Sequence, residues 1–308
     1  MAAEVTLAFL NYNTSDELLQ ALRSVPAAVE GVEVRIIVID NGSTDDSLDR
    51  IRAAAPEAEL ISLPRNSGFS AAFNRVFSYA ISPWYLLLNT DIILPPGSVG
   101  QMLKLAGQHP EAGIAGMALV REDGTAQTSY YPFPTLASEL INRSLWRRLH
   151  AIPESATGVI EVESIIGAAM LVPRTTVETV GMLDERYFFY LEETDWCCRI
   201  HQAGKQVLHF PGIRLTHLQG RAANKAPIKA RIEFHRSRLI YFQTHYGTVG
   251  RIILLAGSFV RVLINALAYS VLTALTLGLQ RKTRLKCQLY LGVAAWYCSG
   301  CPEGWGLR

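Results

Sequence analysis

Residues 84–91 read WYLLLNTD, an apolar run that ends abruptly in three polar residues. A short apolar run bounded by polar residues is typical of a strand buried on both faces of a parallel sheet. The same pattern occurs upstream in Val5–Phe9 (VTLAF), which leads to Asn11, and in Val34–Ile39 (VRIIVI), which leads to Asp40. Amphipathic helical stretches separate these runs. The alternation predicts an α/β domain with a mostly parallel sheet flanked by helices.

Polar residues at the ends of these strands mark the expected ligand site. In open α/β sheets, ligands bind at the carboxyl ends of the strands. Asn11, Asp40 and Asp91 fall at three such ends, so we expect their side chains to converge on one crevice. The first strand is followed by neither a P-loop nor a GxGxxG motif, which argues against an ATPase or a dinucleotide-binding enzyme.

Composition limits the function classes further. The 308 residues allow one large α/β domain with an appendage, or two modest domains, and the net charge is only +2. Arginines and lysines form no block with interleaved aromatic residues, which argues against a nucleic-acid-binding protein. The sequence begins directly with the first strand, so we expect the catalytic part in the cytosol. We expect reduced thiols at all cysteines, Cys197, Cys198, Cys287, Cys298 and Cys301.

The last sixty or so residues differ in character. Ile252–Gln280 is almost wholly apolar, and its later part, Val262–Leu279, carries no charge. A membrane-spanning helix needs about 20 apolar residues, so this segment is of borderline length. Basic residues flank it at Arg251 and in 281–286, which suits an anionic membrane surface. We predict membrane attachment by in-plane or re-entrant helices; the alternative is a helix that packs in the protein core.

Two polar clusters are candidates for the chemistry. Asn89-Thr90-Asp91 offers an amide and a carboxylate after a strand, and Mg²⁺ or Mn²⁺ commonly takes one or two protein carboxylates together with phosphate oxygens. The alternative for Asp91 is a turn or helix cap. Glu192-Glu193-Thr194-Asp195 opens a predicted helix and could supply a general base. The alternative interpretation of this cluster is an acidic first turn that only stabilises the helix.

Six stretches, in this order, resemble the inverting family 2 glycosyltransferases of the GT-A fold, especially the rhamnosyltransferase-like branch. They are Asn11–Thr14, Val38–Ser43 with Asp45, Arg65–Phe69 with Ala71, Ala72 and Asn74, Leu87–Asp91, Gly181–Arg199 (GMLDERYFFYLEETDWCCR), and Thr216–Gly220. The resemblance covers about residues 4–245. It implies a GT-A (Rossmann-like) catalytic domain over residues 1–245, and the apolar composition of the remainder predicts a helical, membrane-associated region over 246–308.

The resemblance also implies a nucleotide-sugar site. Its residues would be Asn11, Tyr12, Asp40, Asn66, Gly68, Phe69, Asn74, Asn89 and Asp91. Asp40 would accept a hydrogen bond from the imide N–H of uracil or thymine, which favours UDP or dTDP donors. Two alternatives stay open: Asp40 could be a turn or cap residue, and Phe69 could belong to the core.

Metal and acceptor sites are implied in the same way. Asp91 matches the last aspartate of the family's DxD metal motif, whose first aspartate is replaced by Asn89. His217 would be the second protein ligand of Mg²⁺ or Mn²⁺; the alternative for His217 is a structural or surface residue. Glu193 matches the general base, although many relatives have aspartate there. The acceptor side would include Gly167, Glu192 and Trp196; Trp196 could instead simply pack.

The activity implied is transfer of a single sugar, because the Gln-x-x-Arg-Trp motif of processive synthases is absent. We expect L-rhamnose from dTDP-rhamnose, or another dTDP or UDP sugar, to be moved to a hydroxyl of a lipid-linked or cell-envelope glycan. The expected location is the cytoplasmic face of a bacterial inner membrane, as a peripheral or monotopic protein. The alternatives are transfer to polyprenyl phosphate and a non-catalytic scaffold that binds sugar nucleotides or glycans.

Overall fold

The structure is a computed structural model that describes residues 4–140, 158–218 and 226–308. Gln219 and Gly220, which end the last matching stretch, lie outside the described residues. The chain divides into two compact units. We call them the sheet unit, with described residues 4–133, 158–185 and 192–218, and the helical unit, with described residues 134–140, 186–191 and 226–308.

The sheet unit holds all the strands of the described chain. They are β1 (Val5–Asn11), β2 (Val34–Asp40), β3 (Glu59–Ser62), β4 (Trp84–Asn89), β5 (Ile92–Ile93), β6 (Ala112–Val120), β7 (Tyr130–Tyr131), β8 (Ile160–Glu161), β9 (Ser164–Ile165), β10 (Ala169–Pro173) and β11 (Gln206–His217). The helices of both units are α1 (Ser15–Ala28), α2 (Ser47–Ala54), α3 (Phe69–Tyr79), α4 (Ser98–Gly107), α5 (Leu136–Leu140), α6 (Arg174–Val180), α7 (Glu192–Gln202), α8 (Pro227–Leu275) and α9 (Arg281–Cys298). Of these, α5, α8 and α9 belong to the helical unit.

The main sheet has the strand order β3-β2-β1-β4-β10-β6-β11-β5, with β8 paired to β11. Strands β3, β2, β1 and β4 are parallel, whereas β10 is antiparallel to both β4 and β6. Ala168 lies beside the end of β4, where its carbonyl accepts the Asn89 N–H at 2.9 Å. Because β10 therefore begins where β4 ends, it runs in the opposite direction. The predicted α/β class is confirmed, with a mixed sheet: β6 and β11 are also parallel to each other, and the antiparallel pairings are those made by β10, β5 and β8.

Strand β4 shows why this sequence forms a central strand. Leu86, Leu87 and Leu88 are all 0% exposed, since packing covers both faces of the sheet. Each fully buried leucine side chain contributes about 1.5–3 kcal/mol. In the parallel register Asn11 lies opposite Asp40, and Leu10 lies opposite Asn89. The polar strand ends therefore meet at one edge of the sheet, as predicted.

The helical unit consists mainly of α8 and α9. Helix α8 is interrupted at Gly247, where φ is +67° and ψ is −171°. The rings of Tyr269 and Tyr290 stack between α8 and α9 with centroids 5.5 Å apart. The domain boundary predicted between residues 245 and 246 falls inside α8, just before the kink.

Much of the apolar surface of α8 is exposed. Within the described residues it is the one helix long and apolar enough to cross a membrane, judged by length and composition, and its most apolar window of 18 residues is only 22% buried. A helix in the core of a soluble domain is expected to be mostly buried. The exposed apolar side chains along α8 include Val249, Ile252, Ile253, Val260, Leu263, Ile264 and Leu267.

Candidate active site

The ends of β1 and β2 are joined by a buried hydrogen-bond network. The Asn11 side-chain N–H donates to Asp40 Oδ1 at 2.8 Å and to Ser43 Oγ at 3.1 Å. The Ser43 backbone N–H donates to Asp40 Oδ2 at 3.0 Å. Both Asn11 and Asp40 are 0% exposed, whereas the neighbouring Tyr12 is 38% exposed. In this arrangement Asp40 orders the loop after β2, and Tyr12 presents a ring at the same edge.

The predicted donor-site loop around Asn66 and Gly68 is held by Asn41. The Asn41 side chain donates to Asn66 Oδ1 at 3.0 Å and to the Gly68 carbonyl at 3.2 Å, and it accepts from the Ser67 N–H at 2.8 Å. Gly42 allows this close approach: its φ is +74°, and a Cβ there would lie 2.5 Å from backbone atoms of Arg65. The loop is therefore fixed by residues at the end of β2.

Two further predicted donor residues are buried. Phe69 is 5% exposed and packs edge-on against Phe73, with centroids 4.7 Å apart. Asn74 is also 5% exposed; its side-chain N–H groups donate to the Leu183 carbonyl at 2.9 Å and to Glu185 Oε1 at 3.0 Å. Phe69 thus fits the core alternative, and Asn74 holds the segment that leads toward α7.

The predicted metal ligands Asp91 and His217 lie side by side. Asp91 Oδ2 is 3.4 Å from His217 Nε2, and the Leu218 N–H donates to the Asp91 carbonyl at 3.0 Å. Gln127 contacts His217 twice: its N–H donates to the His217 carbonyl at 2.7 Å, and its Oε1 lies 2.9 Å from His217 Nδ1. Asn89 is the last residue of β4 and precedes Asp91 by two positions.

These residues fit a divalent cation. Asp91 is 6% exposed, and its Oδ2 is buried without a hydrogen-bond partner. Because Gln127 Oε1 can only accept, His217 Nδ1 must be the donor of this hydrogen bond, and in the neutral tautomer with its proton on Nδ1 the lone pair lies on Nε2, the ring nitrogen that faces Asp91. Carboxylate oxygen and neutral imidazole nitrogen are both ordinary metal ligands. Within the described residues, no group of three or more His, Cys, Asp or Glu side chains is arranged to hold a metal ion, so a cation at Asp91 and His217 would need donor phosphates or water as further ligands.

Glu193 stands in the first turn of α7 with an unusual pKa. Burial raises the pKa of Glu193 to about 7, while hydrogen bonds from its own N–H and that of Thr194 oppose the rise. The largest cause of the raised pKa is desolvation of the carboxyl group. Gly167 packs beside the side chain, since a Cβ there would lie 3.5 Å from Glu193 Cβ. A carboxylate with a pKa near 7 is suited to accept a proton at neutral pH.

The other predicted acceptor residues, Glu192 and Trp196, are more deeply buried. Glu192 is 4% exposed, and Trp196 is 0% exposed. The Trp196 indole N–H donates to the Gly181 carbonyl at 2.9 Å, and its ring packs near Phe77. The position of Trp196 therefore fits the packing alternative.

Two residues shape the site without having been predicted from the sequence. Asn41 stands inside a matching stretch, and its side-chain amide could have been considered as a loop-fixing group. Gln127 precedes His217 by 90 residues in a segment without a motif, and no signal in the sequence links the two.

Comparison with known proteins agrees with the resemblance noted in the sequence. The N-acetylglucosaminyl-diphospho-decaprenol L-rhamnosyltransferase of Mycobacterium tuberculosis is 25% identical over 257 residues, which cover 77% of this chain and 83% of that protein. The dTDP-rhamnosyl transferase RfbF of Shigella flexneri is 23% identical and covers 71% of each chain. These relatives confirm the rhamnosyltransferase-like resemblance.

Solved structures share the fold. The mannosyltransferase PcManGT of Pyrobaculum calidifontis, solved with GDP-Man and Mn²⁺, superimposes with a TM-score of 0.56 at 12% identity, covering 98% of this chain and 87% of that one. GalNAc-T7, solved with UDP, GalNAc and Mn²⁺, gives a TM-score of 0.55 at 14% identity over 70% of this chain and 44% of that one. The predicted GT-A fold is thereby confirmed. The sequence profile of "Glycosyl transferase family 2" matches residues 7–161, half of the sequence, and the chain belongs to that family.

Proposed function

We propose that this family 2 glycosyltransferase is an inverting, metal-dependent enzyme that moves one sugar to a hydroxyl of a lipid-linked or cell-envelope glycan. The observation that carries the proposal is Glu193, whose burial beside Gly167 raises its pKa to about 7. The names of two relatives support L-rhamnose from dTDP-rhamnose as the first choice of donor, with other dTDP or UDP sugars as alternatives. Mn²⁺ in two structural neighbours supports a divalent cation, Mg²⁺ or Mn²⁺.

On the donor side, Tyr12 would contact the base while the network of Asn11 and Asp40 keeps the β1 and β2 ends in place. Asp91 and His217 would hold the cation, which neutralises the negative charge of the diphosphate when bound. The loop at Asn66–Gly68 can bring backbone close to the donor because glycine adds no side chain.

Glu193 acts on the acceptor. Its carboxylate takes the hydroxyl proton as the acceptor oxygen bonds to the anomeric carbon. The bond between that carbon and the diphosphate oxygen breaks on the opposite face, so nucleoside diphosphate leaves and the configuration inverts. The proton ends on Glu193, and a pKa near 7 lets the carboxyl release it again at neutral pH.

The exposed apolar surface of α8 supports a membrane location. A segment that is 22% buried, followed by Arg281, Lys282 and Arg284, suits the interface of an anionic membrane. We place the enzyme at the cytoplasmic face of a bacterial inner membrane, where a lipid-linked acceptor would be found.

The test is a transfer assay across a panel of nucleotide sugars, with and without Mn²⁺ or Mg²⁺. Acceptors are a polyprenyl-diphosphate-linked sugar and polyprenyl phosphate. We expect transfer from a dTDP or UDP sugar to the sugar hydroxyl, dependent on the cation, and inverted stereochemistry in the product. Transfer only to polyprenyl phosphate would replace the acceptor assignment, and no turnover with any donor would favour a binding scaffold.

Glu193→Gln tests the base. We expect turnover to fall by about 10²–10⁴-fold, the usual contribution of general-base catalysis, with donor affinity unchanged. Glu178→Gln is the matched control because Glu178 is an exposed residue paired with Arg174. Equal turnover in the two variants contradicts the assignment of Glu193.

A further inference from the structure

We propose that Gln127 is a positioning residue that fixes the tautomer and the ring orientation of His217, so that Nε2 offers a lone pair toward Asp91. The inference rests on the proposed function, because it concerns the residues that would hold the cation. Nothing in the sequence motifs assigns a role to Gln127.

The two contacts of Gln127 determine which way its amide points. Its Nε2 donates to the His217 carbonyl at 2.7 Å, and a carbonyl can only accept. Its Oε1 must then be the atom that faces His217 Nδ1 at 2.9 Å, and an amide oxygen can only accept. The proton of the neutral ring therefore lies on Nδ1, and the lone pair lies on Nε2.

This tautomer matters because of Asp91. Nε2 and Asp91 Oδ2 are 3.4 Å apart, beyond the 2.7–3.2 Å typical of an N–H···O hydrogen bond, and Oδ2 has no hydrogen-bond partner. With the proton on Nε2, the ring could instead hydrogen-bond to Asp91 and block the pair from a cation. Gln127 thus keeps both His217 Nε2 and Asp91 Oδ2 available to bind a cation.

Gln127 is itself held firmly. Its backbone N–H donates to the Leu119 carbonyl at 2.8 Å, and its own carbonyl accepts from Ser129 Oγ at 3.1 Å. A β-bridge between Val120 and Ala126 closes the turn just before it. Its side chain therefore reaches His217 from a fixed backbone, as expected for an outer residue that orients a ligand.

The first experiment measures Mn²⁺ binding without turnover, by calorimetry on the full-length protein with dTDP or UDP present. Gln127→Met keeps the size of the side chain and removes both polar contacts. We expect Mn²⁺ affinity to fall about 10–100-fold, the usual effect of losing such a partner, with metal-free nucleotide affinity unchanged. Gln101→Met is the matched control, since Gln101 is exposed on α4.

The second experiment reads the tautomer directly in the metal-free protein by ¹⁵N NMR of the histidine rings. The His217 resonance is the one absent from His217→Asn. We expect the Nδ1–H form in the wild type and a shift toward Nε2–H in Gln127→Met, with the other rings unchanged. This spectrum also shows whether the variant is folded.

The outcomes separate the inference from the proposed function. If His217→Asn loses Mn²⁺ affinity but Gln127→Met keeps both the affinity and the Nδ1–H form, the positioning role is wrong while the metal site stands. An Nε2–H ring in the wild type also overturns it. If the wild type binds no Mn²⁺ at all, the metal site and this inference fail together, whereas the Glu193 assay still tests sugar transfer.

Discussion

The carboxyl of Glu193 combines two properties that a general base needs. Glu193 lies in the first turn of α7, which fixes its backbone, and burial disfavours the charged form of its carboxyl group. The neighbouring carboxylate of Asp195 already forms an ion pair with Arg199 at 2.8 Å. The raised pKa of Glu193 is therefore a consequence of where the chain places it, and it has measurable effects on both rate and stability.

We expect the transfer rate to rise with pH through a midpoint near 7, because only ionised Glu193 can take the acceptor proton.

The stability of the folded protein should change with pH in the opposite direction. The folded protein keeps the Glu193 proton between the ordinary pKa of 4.5 and about 7, so the free energy of unfolding falls as pH rises through this window. Glu193→Gln has no such proton. Relative to the wild type, the thermal midpoint of Glu193→Gln should therefore rise between pH 5 and pH 8. A difference between the two midpoints that does not change with pH would contradict the raised pKa of Glu193.

At the scale of elements, the donor side is built from loops that fix one another. The β2 end carries Asp40 and Asn41, whose side chains bind the β1 end and the 66–68 loop respectively. Gly42 lies between these loops, and its backbone meets Arg65 too closely for any side chain. The geometry of the donor loop therefore depends on this one glycine.

Gly42→Ala and Gly31→Ala form a matched pair for testing this dependence. Both glycines have a positive φ, +74° and +76°, so both variants carry a similar backbone strain. A Cβ at Gly31 meets nothing within 4 Å, whereas one at Gly42 would lie 2.5 Å from Arg65 backbone. We expect Gly42→Ala to cost about 1–3 kcal/mol more in urea unfolding and to raise the donor KM. Equal effects in both variants would show that the close approach is unimportant.

The sequence predicted those elements whose own residues form a recognisable pattern of apolar and polar positions. Apolar runs that end in polar residues located β1, β2 and β4 and the edge where Asn11 and Asp40 meet. The direction of β10 was not predictable, because it depends on where the chain re-enters the sheet. Nor was the role of Gln127, since its contact with His217 joins residues 90 apart that only the fold brings together.

At the scale of the whole molecule, the exposed apolar side chains are concentrated in the helical unit. Where the turn connects α8 and α9, Leu275, Leu277 and Leu279 are 76%, 84% and 83% exposed. The basic segment 281–286 follows immediately. Three exposed leucines beside basic residues are the arrangement expected of an anchor at the interface of an anionic membrane.

We therefore expect the purified protein to bind vesicles of phosphatidylglycerol more tightly than vesicles of phosphatidylcholine. Changing Leu275, Leu277 and Leu279 together to serine should weaken binding to both kinds of vesicle on the order of 1,000-fold or more, because burying each leucine contributes about 1.5–3 kcal/mol. Ile81→Ser is the control, since Ile81 is 70% exposed in the sheet unit. Raising salt should weaken only the preference for the anionic lipid, because it screens the basic segment and leaves apolar burial intact. Co-sedimentation measures each effect, and unchanged binding by the triple variant would show that this turn is not the anchor.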